Sequence, residues 1–181
     1  MYLFTSKRLG VREVTVDDAK QFQTWWNNGE LMASMGFENG LGVSLADMQE
    51  RFANQVNDID PKRKRRTYII CRLDNNQAIG ELTYGAYEPA RKKLGLAMKI
   101  CELDQQGKGY GEESLRAFMD YLQERFSLDA IDIDSLADNQ RAMSLYKKVG
   151  FDVTSIHKDY WQDPSGGYHD LVFMSYPFNK K

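Results

Sequence analysis

Three glycines stand at alternate positions directly ahead of a segment with helical spacing: Gly107, Gly109 and Gly111. Lys108 lies between the first two. The first backbone N–H groups of a helix have no partner within the helix, and that end of the helix dipole is positive. Glycine lets a ligand approach such a backbone because it carries no Cβ atom. The pattern therefore predicts either a merely tight turn or a binding site for an anion such as a phosphate.

The glycine pattern differs from the two best-known phosphate-binding loops. A Walker loop needs Gly-x-x-x-x-Gly-Lys-Ser/Thr, and a dinucleotide-binding loop needs Gly-x-Gly-x-x-Gly early in a parallel sheet. The chain instead has Gln-x-x-Gly-x-Gly, beginning at Gln106 and following several strand-like segments. Alone, this pattern fits a plain helix start as well as an anion site. Glu112 and Glu113 come next, and we expect both to face solvent and to interact with the helix dipole.

A second motif follows one amphipathic helix and one strand later. The stretch "NQRAMSLYKKVGF" fits Asn-x-x-Ala-x-x-x-Tyr-x-x-x-Gly-Phe, with its fixed positions at Asn139, Ala142, Tyr146, Gly150 and Phe151. This ordered pair of motifs resembles the GNAT superfamily of N-acetyltransferases. The opening "RLGVREVTVDDAKQFQTWW" is similar to the branch with ribosomal-protein and spermidine acetyltransferases. The resemblance covers nearly the whole chain and implies acetyl-CoA as co-substrate and an amine as acceptor.

The resemblance also implies which residues hold acetyl-CoA. Backbone N–H groups from Gly107 to Gly111 are expected to bind the pyrophosphate, with Lys108 adding charge. The segment from Met98 to Cys101 is expected to pair with the pantetheine amides as an added strand would. An N–H near Ile100 is expected to stabilise the oxyanion. The full expected set of cofactor-binding residues is Met98, Ile100, Cys101, Gln106, Gly107, Lys108, Gly109, Tyr110, Gly111 and Asn139. For Asn139, the alternative is a role in capping a helix.

Acetyl transfer needs an acid for the departing thiolate and a base for the protonated amine. By resemblance Tyr146 is the acid, although helical spacing alone also fits a tyrosine that packs in an apolar stripe. Glu81 is the first choice for a base acting through water, with Glu102 and Asp134 as rivals and a solvated surface carboxylate as the alternative. No histidine is spaced to activate Cys101, so direct transfer without an acyl-enzyme is expected.

The stretch "TWWNNGELMASMGFENG" is rich in aromatic residues and methionine and is the candidate acceptor pocket. Met35 and Phe37 are the predicted substrate-binding residues. Glu30 and Glu38 either attract a cationic amine, such as a polyamine or a protein N-terminus, or are solvated loop charges. Two more aromatic residues complete the pocket wall or form an oligomer contact: Tyr160 and Trp161.

Hydrophobic periodicity predicts the elements that position these residues. The predicted order is β-α-α-β-β-β-α-β-α-β-β, with strands at 8–15, 67–73, 78–87, 94–103, 130–136, 151–161 and 169–178. Thr15 with Asp18, and Ser44 with Asp47, are cap-like signals for the first two helices. The expected fold class is α/β (α+β). By resemblance it is a mixed, mostly antiparallel sheet that splays between the fourth and fifth predicted strands, with helices on both faces.

Composition limits the remaining possibilities. The chain has 181 residues with 42% hydrophobic residues and a formal net charge of −2, which fits a single domain and argues against disorder and nucleic-acid binding. By resemblance, residues 1–181 form one acetyltransferase domain. No apolar run suits a signal peptide or a membrane helix, so we expect a cytoplasmic protein without a membrane partner. Neither the two histidines nor the two cysteines, Cys71 and Cys101, predict a metal site or a disulfide framework.

Three further expectations complete the sequence interpretation. The basic run from Lys62 to Arg66 is predicted to be a solvated loop, and a polyanion-binding patch is the less favoured alternative. A homodimer is possible, because dimers are common among the relatives that the chain resembles. A non-catalytic module that senses acyl-CoA is the alternative to an enzyme, and the presence of Tyr146 favours the enzyme.

Overall fold

A computed structural model describes residues 1–60 and 65–178 of the chain. The strands are β1 (Phe4–Thr5), β2 (Leu9–Glu13), β3 (Arg66–Arg72), β4 (Ala78–Glu88), β5 (Lys93–Ile100), β6 (Ala130–Leu136), β7 (Asp152–Gln162) and β8 (Tyr168–Pro177). The α-helices are α1 (Ala19–Trp26), α2 (Gly29–Met32), α3 (Leu45–Asn57), α4 (Tyr110–Phe126) and α5 (Gln140–Val149). Lys62, Arg63 and Lys64 of the predicted basic loop lie outside the described residues.

The strands form one sheet of eight in the order β1-β2-β3-β4-β5-β6-β8-β7. Every neighbouring pair is antiparallel except β5 and β6, which run parallel. Their pairing covers only residues 93–95 on β5 and 130–132 on β6, and the strands separate beyond it. Because β1 was not predicted, β5 and β6 correspond to the fourth and fifth predicted strands. The mixed α/β class, the mostly antiparallel sheet and the predicted place of its splay are therefore confirmed.

Helices cover both faces of the sheet, as the alternation along β3 makes clear. Tyr68 and Ile70 point into a hydrophobic cluster with residues of α4 and α5. Ile69 and Cys71 point into a second cluster with residues of α1 and α3. All four side chains are at most 2% exposed. The near-continuous apolar run that predicted this strand is therefore explained by burial on both sides.

The predicted helix starts are present. Thr15 and Asp18 form a capping box at a 3₁₀ turn that leads into α1, and the Ser44 side chain accepts a hydrogen bond from the Asp47 N–H at the start of α3. α1 and α3 pack against each other through the edge-to-face rings of Phe22 and Phe52, whose centroids are 4.8 Å apart. No helix in residues 1–60 or 65–178 is long and apolar enough to cross a bilayer.

Arg66 departs from the predicted solvated loop. It is the first residue of β3 and is only 6% exposed. Its guanidinium pairs with the carboxylate of Glu13 and donates to the backbone carbonyl oxygen of Asp58 at 3.2 Å. A buried guanidinium needs such partners, because an unpaired buried charge is costly. Arg66 therefore ties the end of α3 to the sheet and is not part of an exposed basic patch.

Candidate active site

A cavity of about 640 Å³ opens where β5 and β6 separate. Its walls come from both strands, from the glycine segment before α4, from α5 and from residues around α2. The residues that line it include Glu30, Ser34, Met35, Phe37, Met98, Lys99, Ile100, Gln106, Gly107, Gly109, Gly111, Glu112, Asp134, Asn139, Arg141, Leu145, Tyr146, Lys148 and Trp161. The cavity thus exists because β5 and β6 stop pairing, and the neighbouring loops and helices supply most of its polar side chains.

The glycine segment presents free backbone donors to this cavity. In the part of the chain that the structure describes, no acceptor pairs with any N–H group from Gly107 to Glu112, and the Glu113 N–H is the first to bond, to the Gly109 carbonyl oxygen at 3.1 Å. Gly107 and Gly109 have φ values of +75° and +81°, in the left-handed region that favours glycine. A row of free backbone donors at a helix start is the arrangement that suits an anion, as the sequence predicted for this segment.

Not every residue of the predicted anion segment reaches the cavity. Gln106, Gly107, Gly109 and Gly111 line it, whereas Lys108 and Tyr110 do not. The ring of Tyr110 packs in the core between the sheet and α4 and is 8% exposed. Lys108 donates from Nζ to Gln105 Oε1 at 3.3 Å. Any part for these two residues in binding an anion would therefore come from their backbone N–H groups.

Glu112 and Glu113 were expected to face solvent, and the structure shows both side chains partly exposed and both carboxylates held in ion pairs. Glu112 pairs with Lys148 at 2.6 Å and with Arg116 at 3.1 Å, and the hydrogen bond from Lys148 is the main reason that its pKa is lowered. Glu113 accepts hydrogen bonds from Ser6 and Arg8; burial acts to raise its pKa, but these bonds outweigh burial and lower it. Both negative charges next to the glycine segment are thus compensated by neighbouring positive charges.

The edge of β5 offers backbone groups to the cavity at alternate residues. The Cys101 N–H donates to the Ile79 carbonyl oxygen at 2.8 Å, so the backbone of residue 101 faces β4. In an antiparallel pair the neighbouring residues face the other way, which directs the backbone N–H groups of Met98 and Ile100 toward the splayed side. Of the three predicted edge residues, Met98 and Ile100 line the cavity and Cys101 does not. The thiol of Cys101 is buried, which raises its pKa and leaves it unreactive.

Tyr146 reaches the cavity from α5 and is 6% exposed. Its ring packs on Phe151, with centroids 6.0 Å apart, so packing and access to the cavity occur together. Burial, and then the negative charge of Asp134, raise the pKa of the phenol above its ordinary value. A phenol with a raised pKa stays protonated at neutral pH and is available as a proton donor.

The three candidate carboxylates have different surroundings. Glu81 is 8% exposed, accepts from Trp26 Nε1 at 3.1 Å and pairs with Lys99 Nζ at 3.2 Å, and it does not line the cavity. Glu102 also lies outside the lining and accepts from the indole of Trp25 at 2.7 Å.

Of these three carboxylates, Asp134 is the one that lines the cavity, and it forms no hydrogen bond or ion pair with the described residues. Although its side chain reaches the water of the open cavity, the surrounding protein raises its pKa by desolvation.

Asn139 caps a helix, which is the alternative considered for it, and it also lines the cavity. Its Oδ1 accepts from the Ala142 N–H at 3.1 Å and so caps α5, while its Nδ2 donates to the Ser34 carbonyl oxygen at 3.2 Å. The same residue lines the cavity. Asn139 thus joins the start of α5 to the segment after α2, where the acceptor wall begins.

The predicted acceptor residues stand together at one end of the cavity. Met35 and Phe37 line it, and the ring of Phe37 lies edge-on to Trp161 with centroids 5.4 Å apart. Between them Gly36 has a φ of +83°, and a Cβ atom there would come within 2.2 Å of the Trp161 ring. Glu30 lines the same end. Two residues named with this group in the sequence, Glu38 and Tyr160, do not line the cavity.

Several lining residues were absent from the sequence prediction. Lys99 lies between two predicted edge residues, and Arg141 lies inside the second motif, so both had a signal in their position. Lys148 also lies inside that motif, but its approach to the glycine segment depends on how α5 packs beside α4. Among residues 1–60 and 65–178, no group of three or more histidine, cysteine, aspartate or glutamate side chains is arranged to hold a metal ion.

Comparison with known proteins places this geometry in context. Residues 8–152 match the family model described as an acetyltransferase (GNAT) domain. No curated protein sequence matches the chain.

Solved structures resemble the chain over nearly its full length. The spermidine N-acetyltransferase of Vibrio cholerae, in complex with CoA and spermine, has a TM-score of 0.81 at 19% identity over 93% of this chain and 95% of its own. The ribosomal L7/L12 alpha-N-protein acetyltransferase RimL, in complex with coenzyme A, has a TM-score of 0.81 at 18% identity over 98% of both chains. An acetyltransferase of Salmonella typhimurium that modifies the N-terminal serine of L7/L12 has a TM-score of 0.82 at 19% identity over 99% of this chain and 100% of its own. At these identities the likeness concerns the fold.

Proposed function

Because the chain belongs to the GNAT acetyltransferase family, we propose that it transfers the acetyl group of acetyl-CoA directly to a primary amine. The observation that carries the proposal is the row of unpartnered N–H groups from Gly107 to Glu112, which opens onto the cavity that also contains Tyr146 and Asp134. The row of N–H groups suits a diphosphate, Asp134 suits a proton acceptor, and Tyr146 suits a proton donor. The amine belongs either to a small polyamine-like molecule or to a protein N-terminus.

In this proposal acetyl-CoA enters along the splay between β5 and β6. The diphosphate binds the backbone donors at the start of α4, and the pantetheine amides pair with the outward backbone groups of Met98 and Ile100 as an added strand would. This course carries the thioester toward Tyr146. The positive charges of Arg141 and Lys148, which line the same end of the cavity as the glycine segment, favour the anionic part of the ligand.

The proposed reaction is a direct acyl transfer. A carboxylate takes a proton from the ammonium form of the acceptor, and the resulting amine attacks the thioester carbonyl carbon. The new N–C bond forms, the C–S bond breaks, and Tyr146 protonates the departing thiolate. The acetylated nitrogen then releases its extra proton to solvent, and the phenolate of Tyr146 takes up a proton from solvent, so that the amide product is neutral and the phenol is restored. The Ile100 N–H stabilises the negative charge on the carbonyl oxygen during the attack. No residue is acylated, which agrees with the buried and unreactive thiol of Cys101.

Asp134 is the better candidate for the base. It lines the cavity beside Tyr146, has no partner in the described part of the chain, and has a pKa raised by desolvation, which makes its carboxylate more basic. Glu81, the first choice from the sequence, stands behind Lys99 and is held by an ion pair and an indole N–H. We therefore infer that Asp134 accepts the proton and that Glu81 orients Lys99.

The acceptor end of the cavity supports a cationic substrate. Glu30 and Asp134 contribute negative charge, and the aromatic rings of Phe37 and Trp161 provide faces on which an ammonium group can rest. Two related structures bind or modify substrates of this kind: one contains spermine, and another enzyme acts on the N-terminal serine of a ribosomal protein. We infer the same class of acceptor for this chain.

The accompanying expectations remain proposals of the same kind. We infer that residues 1–181 act as one catalytic domain in the cytoplasm, without a nucleic-acid or membrane partner, and that a homodimer is possible. The polyanion-binding alternative is weakened, because Arg66 is buried and paired and so cannot take part in an exposed basic patch.

A thiol-release assay tests the proposed activity. The protein is mixed with acetyl-CoA and a panel of polyamines, amino acids, aminoglycosides and N-terminal peptides, and free CoA thiol is measured. We expect turnover with at least one amine, and a Tyr146→Phe variant is expected to keep CoA affinity while kcat falls about 10²-fold or more. If the wild type binds acetyl-CoA but no amine in the panel is acetylated, and the Tyr146→Phe variant behaves as the wild type does, the non-catalytic sensor is favoured.

A further inference from the structure

A side chain outside the cavity holds the glycine segment from behind. Arg8 donates from Nη1 to the Lys108 carbonyl oxygen at 3.1 Å, and its Cζ atom lies 4.3 Å from the centroid of the Tyr110 ring. A Cβ atom placed on Gly109 would lie 3.5 Å from Arg8 Nη2. Arg8 itself is not among the residues that line the cavity. Its guanidinium therefore rests on the side of the segment that faces away from the ligand space.

Glu113 fixes the position of Arg8. The carboxylate accepts from the Arg8 backbone N–H and from Arg8 Nε, each at 2.7 Å, and from Ser6 Oγ at 2.7 Å. The Glu113 side chain is only 17% exposed, so these bonds are partly shielded from water. Because the guanidinium is a rigid planar fork, holding it at Nε also sets the direction of Nη1. The N-terminal segment, the first turn of α4 and the glycine segment are thus joined at one guanidinium.

This arrangement sets the direction of one backbone donor. The peptide bond between Lys108 and Gly109 is trans, so its C=O and N–H groups point in opposite directions. Since Arg8 binds the carbonyl oxygen on the outer side, the Gly109 N–H points inward to the cavity that Gly109 lines. Gly109 supplies the nitrogen of this peptide, and glycine gives the backbone little resistance to rotation. An external contact is therefore what keeps the donor aimed.

We propose that Arg8 is a positioning residue of the cofactor site, which holds the Lys108–Gly109 peptide so that the Gly109 N–H faces the diphosphate of acetyl-CoA. The inference rests on the proposed function, because it takes the glycine segment to be the diphosphate site. A donor aimed before the ligand arrives binds more tightly than one that must first be ordered. Arg8 acts through the peptide and does not itself contact the ligand.

The test compares Arg8→Met with a matched control. Arg8→Met keeps most of the aliphatic stem and removes the donors, and calorimetry with CoA is expected to give about tenfold weaker binding, the effect of losing one well-aimed hydrogen bond to a charged group. Arg116→Met is the control, because Arg116 also pairs with a glutamate of the first turn of α4 but its other hydrogen bonds go to carbonyls at the end of α5. CoA affinity in the control is expected to stay within about twofold of the wild type, because Lys148 still pairs with Glu112 when Arg116 is replaced.

A second variant separates positioning from charge compensation. If Arg8 only neutralises Glu113, the double variant Arg8→Met with Glu113→Gln regains wild-type CoA affinity. Positioning predicts that the double variant binds as weakly as Arg8→Met alone. The loss is also expected to be confined to ligands with a diphosphate: KM for acetyl-CoA rises, whereas kcat/KM for S-acetylpantetheine, which has no phosphate, is unchanged. General damage to the fold would lower kcat/KM for both acetyl-CoA and S-acetylpantetheine.

The outcomes distinguish this inference from the proposed function. If the wild type fails to bind CoA, the proposed function falls. If the wild type binds CoA and Arg8→Met binds equally well, the positioning inference is overturned and the proposed function stands. Should Arg8→Met not fold, Arg8→Lys keeps the charge without the fork, and undiminished CoA affinity in that variant overturns the inference in the same way.

Discussion

Gly111→Ala should separate the binding of acetyl-CoA from the stability of the fold. Gly111 lies in the first turn of α4, lines the cavity and lacks the positive φ of Gly107 and Gly109, so an alanine is compatible with its backbone. The added methyl group would lie 3.4 Å from Leu145 Cδ2 and 3.7 Å from Met98 Cε, which are ordinary contact distances. The protein can therefore accept the substitution without moving its backbone.

The two expected effects have opposite signs. Replacing glycine by alanine at a compatible position raises the free energy of unfolding by about 0.4–1 kcal/mol, because the unfolded chain loses conformational freedom. The same methyl group occupies space between α4, α5 and the edge of β5, all of which face the ligand. Forcing an extra methyl group into a packed site costs about 1–3 kcal/mol, so CoA affinity should fall by about 5- to 150-fold.

Two measurements decide the outcome: chemical denaturation for the free energy of unfolding and calorimetry for CoA affinity. Gly107→Ala is the contrasting variant. A Cβ atom there meets nothing within 4 Å, but the φ of +75° is strained for alanine, so stability should fall. If Gly111→Ala binds CoA as tightly as the wild type, the ligand does not pass the start of α4 and the anion-site argument fails.

Two further predictions concern the reacting groups and the acceptor wall. Asp134→Asn should lower kcat/KM by about 10²-fold or more and raise the free energy of unfolding at neutral pH, because the folded protein then no longer holds a desolvated charge. In the wild type, activity should increase as pH rises through the raised pKa of Asp134, because the base must be deprotonated, and the contribution of Asp134 to stability should decrease over the same range. Neither pH dependence should remain in Asp134→Asn. A pH–rate profile and denaturation at a series of pH values test the two trends. Gly36→Ala should displace Trp161 and raise KM for the amine while KM for acetyl-CoA is unchanged, and equal rises in both constants would contradict the assignment of this wall to the acceptor.

Local patterns in the sequence were enough to predict most of the fold. The apolar runs, the helix caps at Thr15 and Ser44 and the turns between strands all depend on neighbours close in sequence, and each is present. Among the strands and α-helices, two short ones were missed: β1, with two residues, and α2, with four. Neither is long enough for its periodicity to stand out, and α2 depends on the Asn28 side chain accepting a hydrogen bond from the Leu31 N–H.

The site was less predictable, because its decisive contacts join residues far apart in sequence. The pairing of Glu81 with Lys99 follows from the register of β4 and β5, and that register shifts between Gly85 and Glu88 in a way that no count along the sequence would give. Glu113 was expected to be solvated because its partner Arg8 lies 105 residues away. The residues that the second motif singled out, Asn139 and Tyr146, did reach the cavity, because the motif carries information about distant neighbours.

The close approach of Gly36 and Trp161 has a consequence for how such a chain can diversify. With only 2.2 Å between the place of a new Cβ atom and the indole ring, position 36 cannot enlarge without displacing the tryptophan at position 161. The two positions are energetically coupled, so the order in which they change matters. A smaller residue at 161 would remove this contact, but the φ of +83° would still favour glycine at 36, so two separate restraints hold the residue type at that position.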